Sequence, residues 1–136
     1  MPTTINPYLT LDGNCAEAMK YWGDILNIKP EIMLMGDSPM PVGAESKNRV
    51  MHATLKADGF LLMASDSMHR KPVQMGGPVS LSLNFDDKAE QTRVWERLLS
   101  GGSVTIPLEE QFWGRFGMLT DKFGFQWMLN HQAPPR

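Results

Sequence analysis

The chain repeats itself, and this repeat limits its possible folds more than any other feature. Asn14 to Leu26 (NCAEAMKYWGDIL) aligns without a gap on Asp87 to Leu99 (DKAEQTRVWERLL), 73 residues later. Ala16, Glu17 and Trp22 meet Ala89, Glu90 and Trp95; Lys20 meets Arg93, and Ile25-Leu26 meets Leu98-Leu99. Each copy opens with a helix-capping residue, Asn14 or Asp87, followed by Glu three positions on. That spacing is the capping-box pattern, which ties up free N–H groups at a helix start. A second match, at an offset of 65, sets Asp58-Gly59-Phe60-Leu61-Leu62-Met63 on Phe123-Gly124-Phe125-Gln126-Trp127-Met128. Two copies are too few for a solenoid. They predict paired modules, with function where the copies meet.

The hydrophobic pattern gives both modules the same order of elements. In the first, Ile5 to Leu11 alternates as a strand, with Asn6, Tyr8 and Thr10 on its polar side. Cys15, Ala18, Met19, Trp22, Ile25 and Leu26 then recur at helical spacing. Glu31 to Met35 is a short strand, followed by a Pro- and Gly-rich loop from Gly36 to about Lys47. Arg49 to Lys56 and Phe60 to Ser65 form two strands joined through Ala57-Asp58-Gly59, with Gly59 suited to a positive φ. In the second module, Val79, Leu81, Leu83 and Phe85 alternate with Ser80, Ser82 and Asn84. The helix Asp87 to Leu99 stops at Gly101-Gly102. Strands follow at Ser103 to Ile106, Phe116 to Asp121 and Phe125 to Asn130. The fold class is therefore α+β: two tandem βαβββ modules, at 1–66 and 78–136, within one domain spanning 1–136 and joined by a linker at 67–77. One face of each sheet packs on its helix. The other holds polar groups among Met and aromatic residues and can curl around a small ligand.

Bulk properties exclude several classes of function. A hydrophobic fraction of 42% and a charged fraction of 21% are globular values. A net charge of −2 offers no broad footprint for nucleic acid. The single Cys15 cannot form an internal disulfide, and no apolar run is long enough to cross a membrane. A basic leader with an apolar core is missing from Met1-Pro2-Thr3-Thr4, so the expectation is a cytoplasmic protein with neither nucleic-acid nor membrane partner. The eleven methionines suit adaptable apolar surfaces.

These features resemble the vicinal oxygen chelate superfamily of glyoxalase I, bleomycin-resistance proteins and extradiol dioxygenases, and within it the PhnB-like branch. The branch resemblance is carried by Pro7-Tyr8-Leu9, Asp12-Gly13-Asn14, Ala16-Glu17-Ala18, Met51-His52-Ala53 and Met63-Ala64-Ser65-Asp66. It continues through Ser80-Leu81-Ser82-Leu83-Asn84, Trp113-Gly114-Arg115-Phe116-Gly117, Asp121-Lys122-Phe123-Gly124 and Trp127. It implies pseudo-twofold modules whose curved mixed sheets form a U-shaped cavity with the helices outside, and it implies a homodimer. It also implies metal-ligand positions, which fall here on Asn6, Met63, Ser80 and Met128. Met and Ser are poor ligands for Ni, Zn, Mn or Fe, so no metal and no cofactor is expected, and glyoxalase or dioxygenase chemistry is disfavoured. The methyltransferase label of the branch is a poor match as well, because no nucleotide-cofactor loop is present.

The expectation is a small-molecule-binding protein with a metal-free apolar cavity, lined by Asn6, Tyr8, Met63, Ser80, Ser82, Trp113 and Met128. The alternative is a lyase, isomerase or dioxygenase type of enzyme using His52 and Arg115, with any metal bound elsewhere. His52 lies on a strand with Thr54 and Lys56 and is either a general base or a half-buried structural histidine. The resemblance favours it over His69 in the linker and His131 in the tail. Trp113-Gly114-Arg115 sits in a loop before a strand, as a ligand clamp or as an edge Trp beside a surface ion pair. Asp66 and Asp121 read as turn formers. Cys15 reads as an inert buried thiol, and Trp22 and Trp95 as core.

Overall fold

The computed structural model describes residues 3–39, 43–67 and 73–132. The chain divides into two compact units between Gln74 and Met75. The first contains β1 (Tyr8–Leu11), α1 (Cys15–Leu26), β2 (Glu31–Leu34), β3 (Val50–Ala57) and β4 (Phe60–Asp66). The second contains β5 (Leu81–Phe85), α2 (Lys88–Leu99), β6 (Ser103–Gln111), β7 (Gly114–Thr120) and β8 (Gln126–Gln132). The sheet orders are β1-β4-β3-β2 and β5-β8-β7-β6. In each, the first strand runs parallel to the last and the other neighbours are antiparallel. The repeat seen in the sequence is thus a repeat of topology, and each module is a βαβββ unit of an α+β fold.

Each helix forms because its apolar stripe has a sheet face to cover. On α1 the residues Cys15, Ala18, Met19, Trp22 and Ile25 are fully buried, and the helix packs on β3 and β4, where Ala53, Leu55, Leu62 and Ala64 are buried. On α2 the buried residues are Gln91, Val94, Trp95 and Leu98, and their sheet partners include Leu119, Trp127 and Leu129. Removing a side chain of this size from water contributes roughly 1.5–3 kcal/mol. Both predicted core tryptophans are in place. Gly117 lets Trp95 approach the sheet closely, since a Cβ there would lie 2.8 Å from the indole.

The two helix starts differ. Asp87 caps α2 as predicted, accepting from the backbone N–H groups of Ala89 and Glu90. The reciprocal half of its capping box is replaced, because the Glu90 carboxylate accepts from Arg93. Asn14 makes no side-chain cap bond. Its role passes to Asp66 at the end of β4, whose Oδ1 accepts from Gly13 N at 2.7 Å and Cys15 N at 3.1 Å. Oδ2 of the same carboxylate accepts from Val50 N at 2.8 Å. Asp66 is therefore a buried tie between a helix start and two strands, not a turn former. Asp121 does organise a turn, accepting from Phe123 N, Phe125 N and Trp127 Nε1.

Other boundaries shift for identifiable reasons. The first strand is shorter than its alternation implied: Ile5 is 96% exposed and Val79, its counterpart, 77%. Neither packs under a helix, and pairing begins at Tyr8 and Leu81. Met35 turns into a short 3-10 helix instead of ending β2. β6 runs five residues beyond Ile106, through Pro107, because an edge strand leaves one side of its backbone unpaired and tolerates proline there. β7 starts at Gly114, so Gly114 and Arg115 belong to a strand and not a loop. His131, assigned to a tail, lies inside β8. His69 lies outside the described residues, with the rest of 68–72 in the linker.

Candidate functional site

Strand alternation puts half the side chains of each sheet on the face away from its helix. In the first unit Tyr8 stands beside Met63, and Met63 beside Thr54. Along β3, His52 is two residues from Thr54 on the same face, with Met33 of β2 as its neighbour in register. The Tyr8 hydroxyl and His52 Nδ1 are 3.1 Å apart, and the two rings are tilted with centroids 5.7 Å apart. Tyr8 is 47% exposed and Met33 41%. The face thus carries a hydrogen-bonded phenol–imidazole pair bordered by thioethers.

The second unit repeats this geometry. Ser82 stands beside Met128, as Tyr8 does beside Met63, and Met128 beside Met118 of β7. One pair further along are Asn84, Asn130 and Phe116. Trp113 sits in the β6–β7 turn, 40% exposed, and meets Phe116 edge-on at 5.7 Å and Phe112 at 4.8 Å. Through Phe116 it joins the aromatic edge of this face. Phe116, Met118, Asn130 and Gln132 were not among the site residues expected from the sequence. The usable signal was phase, since Asn130 and Gln132 follow Met128 at intervals of two.

Arg115 goes the other way. It alternates with Phe116, so its side chain lies on the α2 side of the sheet, where Nη1 donates to Thr92 Oγ1 at 2.8 Å and Lys88 O at 3.5 Å. It braces the first turns of α2 and does not reach the open face. On the same side Gln91 Nε2 donates to the carbonyls of Arg115 and Leu129. Cys15 is fully buried, and burial, reinforced by the nearby Asp66 carboxylate, pushes its thiol pKa up to about 12. A thiol held in this way is no nucleophile near neutral pH.

The positions for which the resemblance implied metal ligands can be tested by donor chemistry. Met63 and Met128 occupy the open faces, while Asn6 and Ser80 precede β1 and β5 by two and one residues. Asn6 Nδ2 donates to Thr4 Oγ1 at 3.3 Å. Two neutral thioethers and two neutral oxygen-bearing side chains supply neither the charge nor the imidazole and carboxylate ligands that such dications take. Among the described residues, no group of three or more His, Cys, Asp or Glu could hold a metal ion. These residues do not fit a metal centre of that kind.

A family model described as 3-demethylubiquinone-9 3-methyltransferase matches residues 3–130. The chain is similar to the crystal structure of protein PA1353 from Pseudomonas aeruginosa, with 44% identity and a TM-score of 0.87 over 98% of this chain and 100% of that one. It is also similar to a putative 3-demethylubiquinone-9 3-methyltransferase, PhnB protein, from Bacillus cereus. That match has 25% identity and a TM-score of 0.76 over 95% and 99% of the two chains. Protein YjdN of Escherichia coli strain K12 is 28% identical over 93% of each chain.

Proposed function

The chain belongs to the 3-demethylubiquinone-9 3-methyltransferase family, a PhnB-like branch of the vicinal oxygen chelate fold, and from that footing we propose that it binds a small organic molecule on its open sheet faces without a metal. The observation that carries this reading is the paired arrangement of Tyr8 with Met63 and Ser82 with Met128. Each pair sets one hydroxyl beside one polarizable thioether, with Met118 next to Met128 and Met33 next to His52. Such a surface grips apolar or aromatic groups by shape and orients them with a few hydrogen bonds.

Methyl transfer from a nucleotide cofactor is not part of this reading. The chain has no glycine-rich loop of the nucleotide-cofactor type. The reading also takes the protein as a cytoplasmic homodimer, which sedimentation and cell fractionation would test.

A second reading rests on the Tyr8–His52 contact. Two titratable groups within hydrogen-bond reach can pass a proton to or from a bound substrate. In that case the chain is an enzyme that uses His52 with Tyr8; Arg115 is not available to it. Thermal unfolding with a panel of aromatic and amphiphilic compounds tests the first reading, since a ligand that binds only the folded state raises Tm. Protein purified without chelator should hold far less than one Ni, Zn, Mn or Fe per chain. About one metal per chain, lost in His52→Ala, would overturn metal-free binding.

A further inference from the structure

The open face of the second unit ends in a groove of about 370 Å³ lined by Asn84, Phe85, Asp86, Asn130 and Gln132. Asn84 and Asn130 are neighbours in register on parallel strands. Asn130 Oδ1 is buried and has no hydrogen-bond partner among the described residues. A buried oxygen without a donor is destabilising until one arrives. At the rim, the exposed Asp86 has no ion pair or hydrogen bond among the described residues. Glu109, in register with Phe116, adds a second carboxylate to the same face.

Among the described residues no opposing positive charge is at hand. None of the open-face positions of β5, β7 and β8 is Lys, Arg or His. Arg115 is turned to α2, and Lys88 is tied to Glu110 at 2.8 Å. The groove therefore offers amide groups, the unpartnered Asn130 Oδ1 among them, and negative charge to whatever enters it. Immediately along β8 and β7 lie Phe116, Met118 and Met128. Same-face residues of one strand are spaced by about 6.6 Å. A flat ring over that apolar floor would therefore place an attached polar group in the groove.

We infer that this face selects a cationic, donor-rich head group, such as an amidine or amine, carried on an aromatic body, with the head held by Asn130 Oδ1 and Asp86. The inference deepens the binding function proposed above and rests on it. Charge-assisted hydrogen bonds are the stronger kind, so the cation should be preferred to an anion of equal shape.

Benzamidine, benzamide and benzoate share one shape and differ in charge. Titrated into the ¹⁵N-labelled full chain, benzamidine should shift the side-chain amide resonances of Asn84, Asn130 and Gln132. It should bind about tenfold more tightly than benzoate, the order set by one screened charge contact. Asp86→Asn, at an exposed site, should cut that preference to about threefold or less, and Asn130→Leu should abolish the shifts at Asn84. Benzoate binding as tightly as benzamidine, or benzamidine shifts falling elsewhere, overturns the inference. If none of the three probes binds while the wider panel still raises Tm, the cation preference is wrong and small-molecule binding stands. If nothing raises Tm, both fall.

Discussion

Asp66→Ala should be among the most damaging single substitutions in the first unit. The carboxylate is 1% exposed and accepts three backbone N–H bonds, from Gly13, Cys15 and Val50. Gly13 is exposed and can turn to water, whereas Cys15 and Val50 are buried. Two buried donors left without partners cost about 1–3 kcal/mol each, and losing the cap of α1 costs about 1 kcal/mol more. The sum is about 3–7 kcal/mol, against a total stability of about 5–15 kcal/mol for a typical domain. Asp66→Asn keeps one oxygen and presents an NH₂ where the other stood. It should lose about one charged hydrogen bond, 1.5–3 kcal/mol. Asn14→Ala supplies the contrast, because its side chain caps nothing; its cost should stay below about 0.5 kcal/mol. Urea unfolding followed by tryptophan fluorescence gives all three values, and hydrogen exchange at Val50 localises the loss. An Asp66→Ala midpoint matching the parent, or an Asn14→Ala loss as large as that of Asp66→Ala, would refute the assignment of the cap to β4.

Cys15 makes the protein sensitive to alkali. Its thiol titrates near 9 when unfolded and at about 12 when folded. Between these values the unfolded chain has lost the proton and the folded chain keeps it, so stability is full below pH 9 and falls by up to about 1.4 kcal/mol per pH unit above it. Cys15→Ala should flatten that slope in a pH series of urea melts, and native Cys15 should resist iodoacetamide at pH 8. Gly117→Ala should destabilise the second unit by about 1–3 kcal/mol, because the new methyl meets both the Trp95 ring and Leu108 Cα at under 3 Å; thermal unfolding measures it. Asn27 ends α1 in the left-handed region at φ 58°. Asn27→Gly should leave the melting temperature level or slightly raised, and Asn27→Ala should lose about 1 kcal/mol.

The parts legible in the sequence were those written in periodicity. The stripes on α1 and α2 appear at 3.6-residue spacing, and the alternation of Leu81, Leu83 and Phe85 with Ser82 and Asn84 appears at a spacing of two. Both reflect a side chain choosing between core and water, a choice each residue makes from its own chemistry. The Asp58-Gly59 turn was legible for a similar reason, since Gly59 has φ +71° between the paired Ala57 and Phe60. The capping pattern was less secure. The same motif was read at Asn14 and Asp87, yet a carboxylate from β4 displaced the local cap in the first copy. Composition around Arg115 suggested a loop, and only pairing with β8 put it in a strand and gave its side chain a direction.

Two modules, their helices, and a thioether at Met63 and Met128 where the resemblance implied a metal ligand follow from residue order alone, because local patterning and side-chain chemistry are carried along the chain. Which residues share a face was decided by register. Strand pairing joined His52 to Tyr8, sent Arg115 to α2, set Asn130 beside Asn84, and brought Asp66 under α1. These are contacts between residues 23 to 53 positions apart. Their partners are selected by folding, which local sequence does not encode.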